Sequence, residues 1–171
     1  MSSLRDYDPV KAGSIYIDAN IFIHVLLNDP RFGATCKAFL TRVEKGDAGA
    51  CLSPLVIDEI AYKIIVEKLK AELGLATTGE VLRQLKRDPD RLDSAKPELL
   101  AFLLVIQNYK GLKVIEIPAS AGVNIFKEMT DHKLLPRDAL HLAIMEHHGI
   151  THIATSDKDF GRIAGITVWE P

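Results

Sequence analysis

Two cysteines in 171 residues, Cys36 and Cys51, are too few for a disulfide framework. Neither has a second Cys or a His at the spacing of a zinc site, so both read as reduced, buried thiols. The longest purely apolar stretch, 99–106, falls far short of the roughly 20 residues that a helix needs to cross a bilayer. The opening MSSLRDYDPVKAG has no apolar segment of a secretion signal, so the expected location is the cytoplasm, with no membrane partner. Internal repeats, low-complexity tracts and Ser/Gly/Pro-rich linkers are missing too, which leaves one domain over residues 1–171. Charge is nearly balanced: Lys+Arg 21 against Asp+Glu 23 gives a net charge of -2. No global basic field draws in a polyanion, and a nucleic-acid partner requires a local basic rim.

What is present is apolar mass for one core, 47% hydrophobic residues against 26% charged. Short, mostly apolar segments at 14–17, 50–52, 114–117, 152–155 and 166–169 read as buried strands. Between them lie helical patterns at 19–27, 32–45, 54–73, 80–87, 97–109, 121–132 and 136–149. The helix at 54–73 opens on Ser53-Pro54, a cap followed by a proline at the first turn, and repeats Val56, Ile60, Ile64 and Leu69 at helical spacing. Strands alternating with helices imply an α/β fold with a parallel sheet covered on both faces. Ligands in such sheets bind outside the carboxyl ends of the strands.

Four acids stand where a purely structural sequence seldom puts them. Asp18 directly follows an apolar strand, and Asp157 repeats that arrangement after Ala154-Thr155-Ser156. Glu59 lies in the second turn of the helix that leaves the second strand, and Asp138 in the first turn of a helix whose run 139–145 is apolar except for His141. If the two strands are neighbours in the sheet, all four converge on one rim. Each also has a plain structural reading: Asp18 as a helix cap, Asp157 as a turn residue, Asp138 as a partner of the helix dipole, and Glu59 as an ordinary surface acid beside Asp58. A like-charge pair at about 4 Å costs on the order of 4 kcal/mol at an effective dielectric near 20. A divalent cation would remove that penalty, and an oxygen-only donor set suits Mg²⁺ or Mn²⁺. Such an ion activates a water and neutralises a leaving oxygen, the chemistry of phosphate ester hydrolysis.

Four segments, Ile-Asp-Ala-Asn-Ile-Phe-Ile at 17–23, Ser-Pro-Leu-Val-Ile-Asp-Glu-Ile at 53–60, Leu-Pro-Arg-Asp-Ala-Leu-His-Leu-Ala at 135–143 and Ala-Thr-Ser-Asp-Lys-Asp-Phe at 154–160, together resemble the PIN-domain nucleases, especially VapC-like toxins. The resemblance implies a three-layer α/β/α domain with a central parallel sheet. It also implies an endoribonuclease dependent on one or two Mg²⁺ or Mn²⁺ ions, with Asp18, Glu59, Asp138 and Asp157 as the catalytic and metal-holding set. Asn20 and Thr155 match the family's small polar residues and take supporting roles, and Asp159 falls where some members carry a further acid, with a loop residue as the equal alternative. A homodimer, an RNA substrate and a small inhibitory antitoxin are the partners implied. The stretch 74–113 is longer than compact toxins of this type need and reads as a helical insertion.

Arg137 and Lys158 adjoin proposed metal-holding acids and are the residues placed for RNA, with ion pairs to those acids as the bland reading. The cluster Arg83, Lys86, Arg87 and Arg91 reads as a solvated helix face balanced by nearby acids. His141, one turn beyond Asp138, either orients it or is a satisfied buried histidine. Two rivals remain open at this stage. One is a metal-dependent phosphomonoesterase with Asp18 as nucleophile, against which Asn20 stands where a second acid would be expected. The other is an RNA-binding or scaffold module that binds metal without turnover.

Overall fold

The computed structural model describes residues 2–171, the side chains of Lys11 and Ala12 excepted. Met1, where the expected domain begins, lies outside the described residues. Six strands form one sheet, every pairing in it parallel: β1 (Ser2–Ser3), β2 (Ile15–Ile17), β3 (Ala50–Leu52), β4 (Leu112–Val114), β5 (His152–Ala154) and β6 (Thr167–Glu170). Their order is β1-β6-β5-β2-β3-β4.

All three residues of β2 are 0% exposed although neighbours along a strand face opposite ways, so both faces of the sheet are covered. The cover comes from among the helices α1 (Pro9–Ala12), α2 (Ala19–Leu26), α3 (Gly33–Lys45), α4 (Pro54–Leu73), α5 (Thr78–Arg87), α6 (Lys96–Asn108), α7 (Ala119–His132) and α8 (Pro136–His147). Both cysteines are buried free thiols within the core.

The apolar spacing of α4 does what it predicts, with Val56, Ile60, Ile64 and Leu69 all buried. Toward its C-terminal end Val66 and Leu69 meet Val81 of α5 in a second apolar cluster. The stretch 74–113 is therefore packed rather than dangling. A Thr77/Glu80 capping box starts α5, a 3-10 turn over Pro89–Ala95 follows, and α6 returns to α2 through a Phe22–Phe102 edge contact at 5.7 Å. Arg91 of the basic cluster pairs with Asp88 at 3.0 Å.

One strand lies elsewhere than expected, and another has no counterpart in the sequence reading. The strand expected at 114–117 lies at Leu112–Val114. β3 is only three residues long, so once Ile115 N–H has bonded Leu52 C=O no partner backbone remains for Glu116 and Ile117. The edge strand β1 carries no hydropathy signal at all: Ser2 and Ser3 are held by their register against Trp169 and Glu170.

β4 comes so close to the loop before β3 that position 111 admits only glycine. A Cβ on Gly111 would sit 2.2 Å from Ala48 C=O and 2.8 Å from Val43 C=O, both backbone atoms. Gly111→Ala is expected to cost about 3 kcal/mol or more in urea unfolding. An unchanged midpoint would mean that this contact opens freely.

Candidate active site

Going out from the middle of the sheet, the chain runs from β2 to β3 on one side and from β5 to β6 on the other, so the order reverses between β2 and β5. At such a reversal the connections leave in opposite directions and open a crevice at the strand carboxyl ends. Asp18 follows β2 there and Thr155-Ser156-Asp157 follows β5.

Asp18 occupies the N-cap position of α2, yet its side chain makes no capping bond. Its Oδ2 instead accepts from Thr155 Oγ1 at 2.6 Å and from the Asn20 amide. Asn20 also donates to Thr155 Oγ1 at 2.8 Å and accepts from the Ser156 N–H at 3.2 Å, while Asp157 N–H donates to Thr155 Oγ1 at 3.0 Å. Asn20 and Thr155 thereby lock the turn after β2 to the turn after β5. Asp157 spends one carboxylate oxygen on Asp159 N–H at 2.8 Å, so it is a turn residue as well as a member of the rim.

On α4, Glu59 is turned inward with its side chain 14% exposed, whereas Asp58 is exposed. Glu59 Oε2 meets His141 Nε2 at 3.2 Å, and His141 Nδ1 meets Tyr16 Oη at 2.8 Å. The Tyr16 hydroxyl is also 2.7 Å from Ser53 Oγ. Ser53 therefore stands at the N-cap of α4 without capping it. His141 does not orient Asp138, contrary to one of the sequence readings. It is buried, and it reaches inward to Tyr16 and Glu59.

Ligand atoms of Asp18, Glu59 and His141 lie within 4.8 Å of one another. A nitrogen, that of His141, therefore stands among the possible ligand atoms beside the two carboxylates. Both ring nitrogens of His141 are already engaged, so the imidazole acts as an orienting group behind Glu59. Asp138 and Asp157 stand outside that 4.8 Å group but share its field. Burial pushes the Asp138 carboxyl up to about 6, and the negative charges of Asp157, Asp18 and Asp159 add to the shift against the opposing pull of His141. Burial likewise raises Asp18, with Glu59 adding and His141 and Thr155 opposing.

Among the described residues, neither Asp18, Asp138 nor Asp157 has a cationic side chain within ion-pair distance. Arg137 reaches Glu59 at 3.4 Å rather than its neighbour Asp138, and Asp159 pairs with Arg162 at 3.0 Å. Three partly buried carboxylates around one crevice, none of them within ion-pair distance of a lysine or arginine among the described residues, fit a hard divalent cation held largely by oxygen.

The residues that sequence reasoning underweighted are Tyr16, Ser53 and His141. The one signal was His141 itself, the single polar residue in the apolar run 139–145.

The family model of the PIN domain matches residues 15–166, and the chain belongs to that family. Over 162 residues it is 24% identical to Ribonuclease VapC2 of Methanocaldococcus jannaschii, covering 94% of this chain and 96% of that protein. Among solved structures it is similar to Mycobacterium tuberculosis VapC20, described as a Sarcin-Ricin loop cleaving toxin. The TM-score is 0.55 at 17% identity, covering 90% of this chain and 96% of that one, a likeness of fold. A 63-residue segment is also 38% identical to the signal recognition particle receptor FtsY of Buchnera aphidicola. That match covers 36% of this chain and spans 17% of FtsY.

Proposed function

We propose that residues 1–171 act as a single nuclease domain, a divalent-metal-dependent endoribonuclease that serves as the toxin of a toxin-antitoxin pair. The observation that carries this reading is the set Asp18, Asp138 and Asp157 around the switch crevice, with no lysine or arginine among the described residues in ion-pair distance of them. Family membership and the near full-length match to a VapC ribonuclease support RNA as the substrate. By the same likeness the partners are an inhibitory antitoxin and a second copy of the chain. A cytoplasmic location goes with that role, and no helix among the described residues is long and apolar enough to cross a membrane.

Asp18, Glu59, Asp138 and Asp157 would hold one or two Mg²⁺ or Mn²⁺ ions. When bound, the ion supplies positive charge for the phosphate and a lowered pKa for an attacking water. The protein does the rest by position. Thr155 and Asn20 fix the Asp18 carboxylate by donating to one of its oxygens, which leaves the other oxygen for the crevice. His141, braced by Tyr16, holds Glu59 on the crevice side of α4. Arg137 and Lys158 are exposed beside these acids and supply the local basic rim that the overall charge does not.

The test is incubation of the purified protein with single-stranded and structured RNA, with Mn²⁺ and then with a chelator in excess. Cleavage that requires the ion, together with no phosphate release from a small phosphomonoester, is the expected result. Cleavage undiminished by the chelator, or binding of RNA without cutting across several RNA classes, defeats the reading.

A further inference from the structure

Beside Asp157 a cleft of about 450 Å³ opens between Arg31, Phe32, Ser156, Lys158, Glu170 and Pro171. Ser156 lies between Thr155 and Asp157, so the cleft and the acid crevice share the turn after β5. Its inner wall is braced by a chain of polar contacts. Asp29 Oδ2 lies 3.3 Å from His24 Nδ1, and His24 Nε2 lies 3.0 Å from Ser156 Oγ. The other oxygen of Asp29 accepts from the Arg31 and Phe32 N–H groups, both at 2.8 Å, and so fixes the turn that presents those two side chains.

An Asp-His-Ser series of this kind invites comparison with an acyl-transfer triad, but the oxyanion donors such chemistry needs are spoken for. The Ser156 N–H bonds Asn20 and the Asp157 N–H bonds Thr155. The series positions a wall and does not perform a reaction of its own.

That wall has the chemistry of a nucleotide site. The Arg31 guanidinium lies 4.6 Å from the centroid of the Phe32 ring, and the His24 ring is 4.9 Å from Phe32 on centroids. A guanidinium plane held on an aromatic ring is a platform on which an unpaired base stacks. Among the described residues, Lys158 and Glu170 have no ion-pair partner, so the cleft carries a free ammonium for a phosphate and a free carboxylate for the N–H edge of a base.

We propose that this cleft is the subsite for the RNA nucleotide next to the scissile phosphate. Its base stacks on Arg31, its phosphate meets Lys158 and Ser156, and its amino or imino edge is read by Glu170. The inference rests on the nuclease reading above and adds what sets the cleavage sequence.

Two measurements test it. With a randomised RNA library and Mn²⁺, Arg31→Ala should raise KM about tenfold, a larger change than in kcat. Glu170→Gln should alter the preferred base at one position beside the cut. Wild-type KM and wild-type sequence preference in both variants would overturn the subsite while leaving the nuclease intact. In the presence of chelator, a single-stranded RNA trinucleotide should shift the His24 ring signals in the NMR spectrum of the wild-type protein and bind Arg31→Ala about tenfold more weakly. If the protein cuts no RNA, this second readout decides alone. A response at His24 upholds the nucleotide cleft after the nuclease reading has failed, and no response overturns it.

Discussion

Asp18→Asn is expected to reduce metal-stimulated RNA cleavage more than a hundredfold while leaving the metal-free protein as stable as the wild type or more so. Residues that merely orient a metal-holding group cost about 10- to 100-fold when removed, so loss of the charged donor itself should exceed that. The geometry separates the two effects. Both side-chain donors to this carboxylate, Thr155 and Asn20, reach one oxygen, and an asparagine Oδ1 in that place accepts from both. What changes is the charge. Burial raises the Asp18 pKa, which means that the folded state opposes its ionisation, and a neutral amide removes that opposition. Initial rates against Mn²⁺ concentration and an isotherm for Mn²⁺ binding read the first effect, and a chelator-treated melting curve reads the second. Undiminished cleavage by the variant defeats the assignment of Asp18. A variant much less stable than wild type without metal would mean that the carboxylate is there for the fold.

Much of this arrangement is legible along the chain because it is local. Ile15–Ile17 is apolar at every position and ends on an acid, which is how a buried parallel strand delivers a carboxylate to its own end. The buried face of α4 follows from the spacing of Val56, Ile60, Ile64 and Leu69. Other parts depend on residues far apart in sequence and leave no local mark. Nothing near Tyr16 says that its hydroxyl meets a histidine 125 positions later, and the choice between Asp58 and Glu59 is settled by which of them that histidine faces. Strand order is equally non-local: β1 is set by backbone register at the far end of the chain, where composition is silent. The cleft beside Asp157 combines both kinds of information. The Asp29 turn is readable in Asn28-Asp29-Pro30, but its second oxygen serves His24, and through His24 a serine more than 120 residues away.

Asp138 should make the metal-free protein progressively less stable as the pH rises from about 4 to just above 6. The sign follows from its raised carboxyl, about 6 in the fold against an ordinary value of 3.8. Below the lower value both folded and unfolded chains hold the proton and nothing is lost. Between the two values the unfolded chain has released its proton and the folded chain has not, so the equilibrium moves toward unfolding with each increment of pH. Above the higher value the loss is complete. Two pKa units correspond to about 3 kcal/mol as a ceiling, and partial exposure of the side chain to solvent brings the expected figure to about 1–2 kcal/mol. Asp138→Asn removes the titrating group. Chelator-treated wild type should therefore be less stable than the variant at pH 7.5 by that amount, and the gap should close as the pH falls toward 4. Mn²⁺ reverses the comparison. At pH 7.5 it should stabilise the wild type by binding the ionised site and do little for the variant, and at pH 5, where a proton competes for the same oxygen, its effect on the wild type should shrink. Cleavage should lose rate along an acid limb near pH 6 for the same reason. Urea titrations of both proteins between pH 4 and 8, each with chelator and with Mn²⁺, measure the stability changes, and initial cleavage rates over the same range measure the acid limb. Parallel stability profiles for the two proteins would mean that the Asp138 carboxyl ionises freely in the fold and that the rim is far less anionic than its geometry implies.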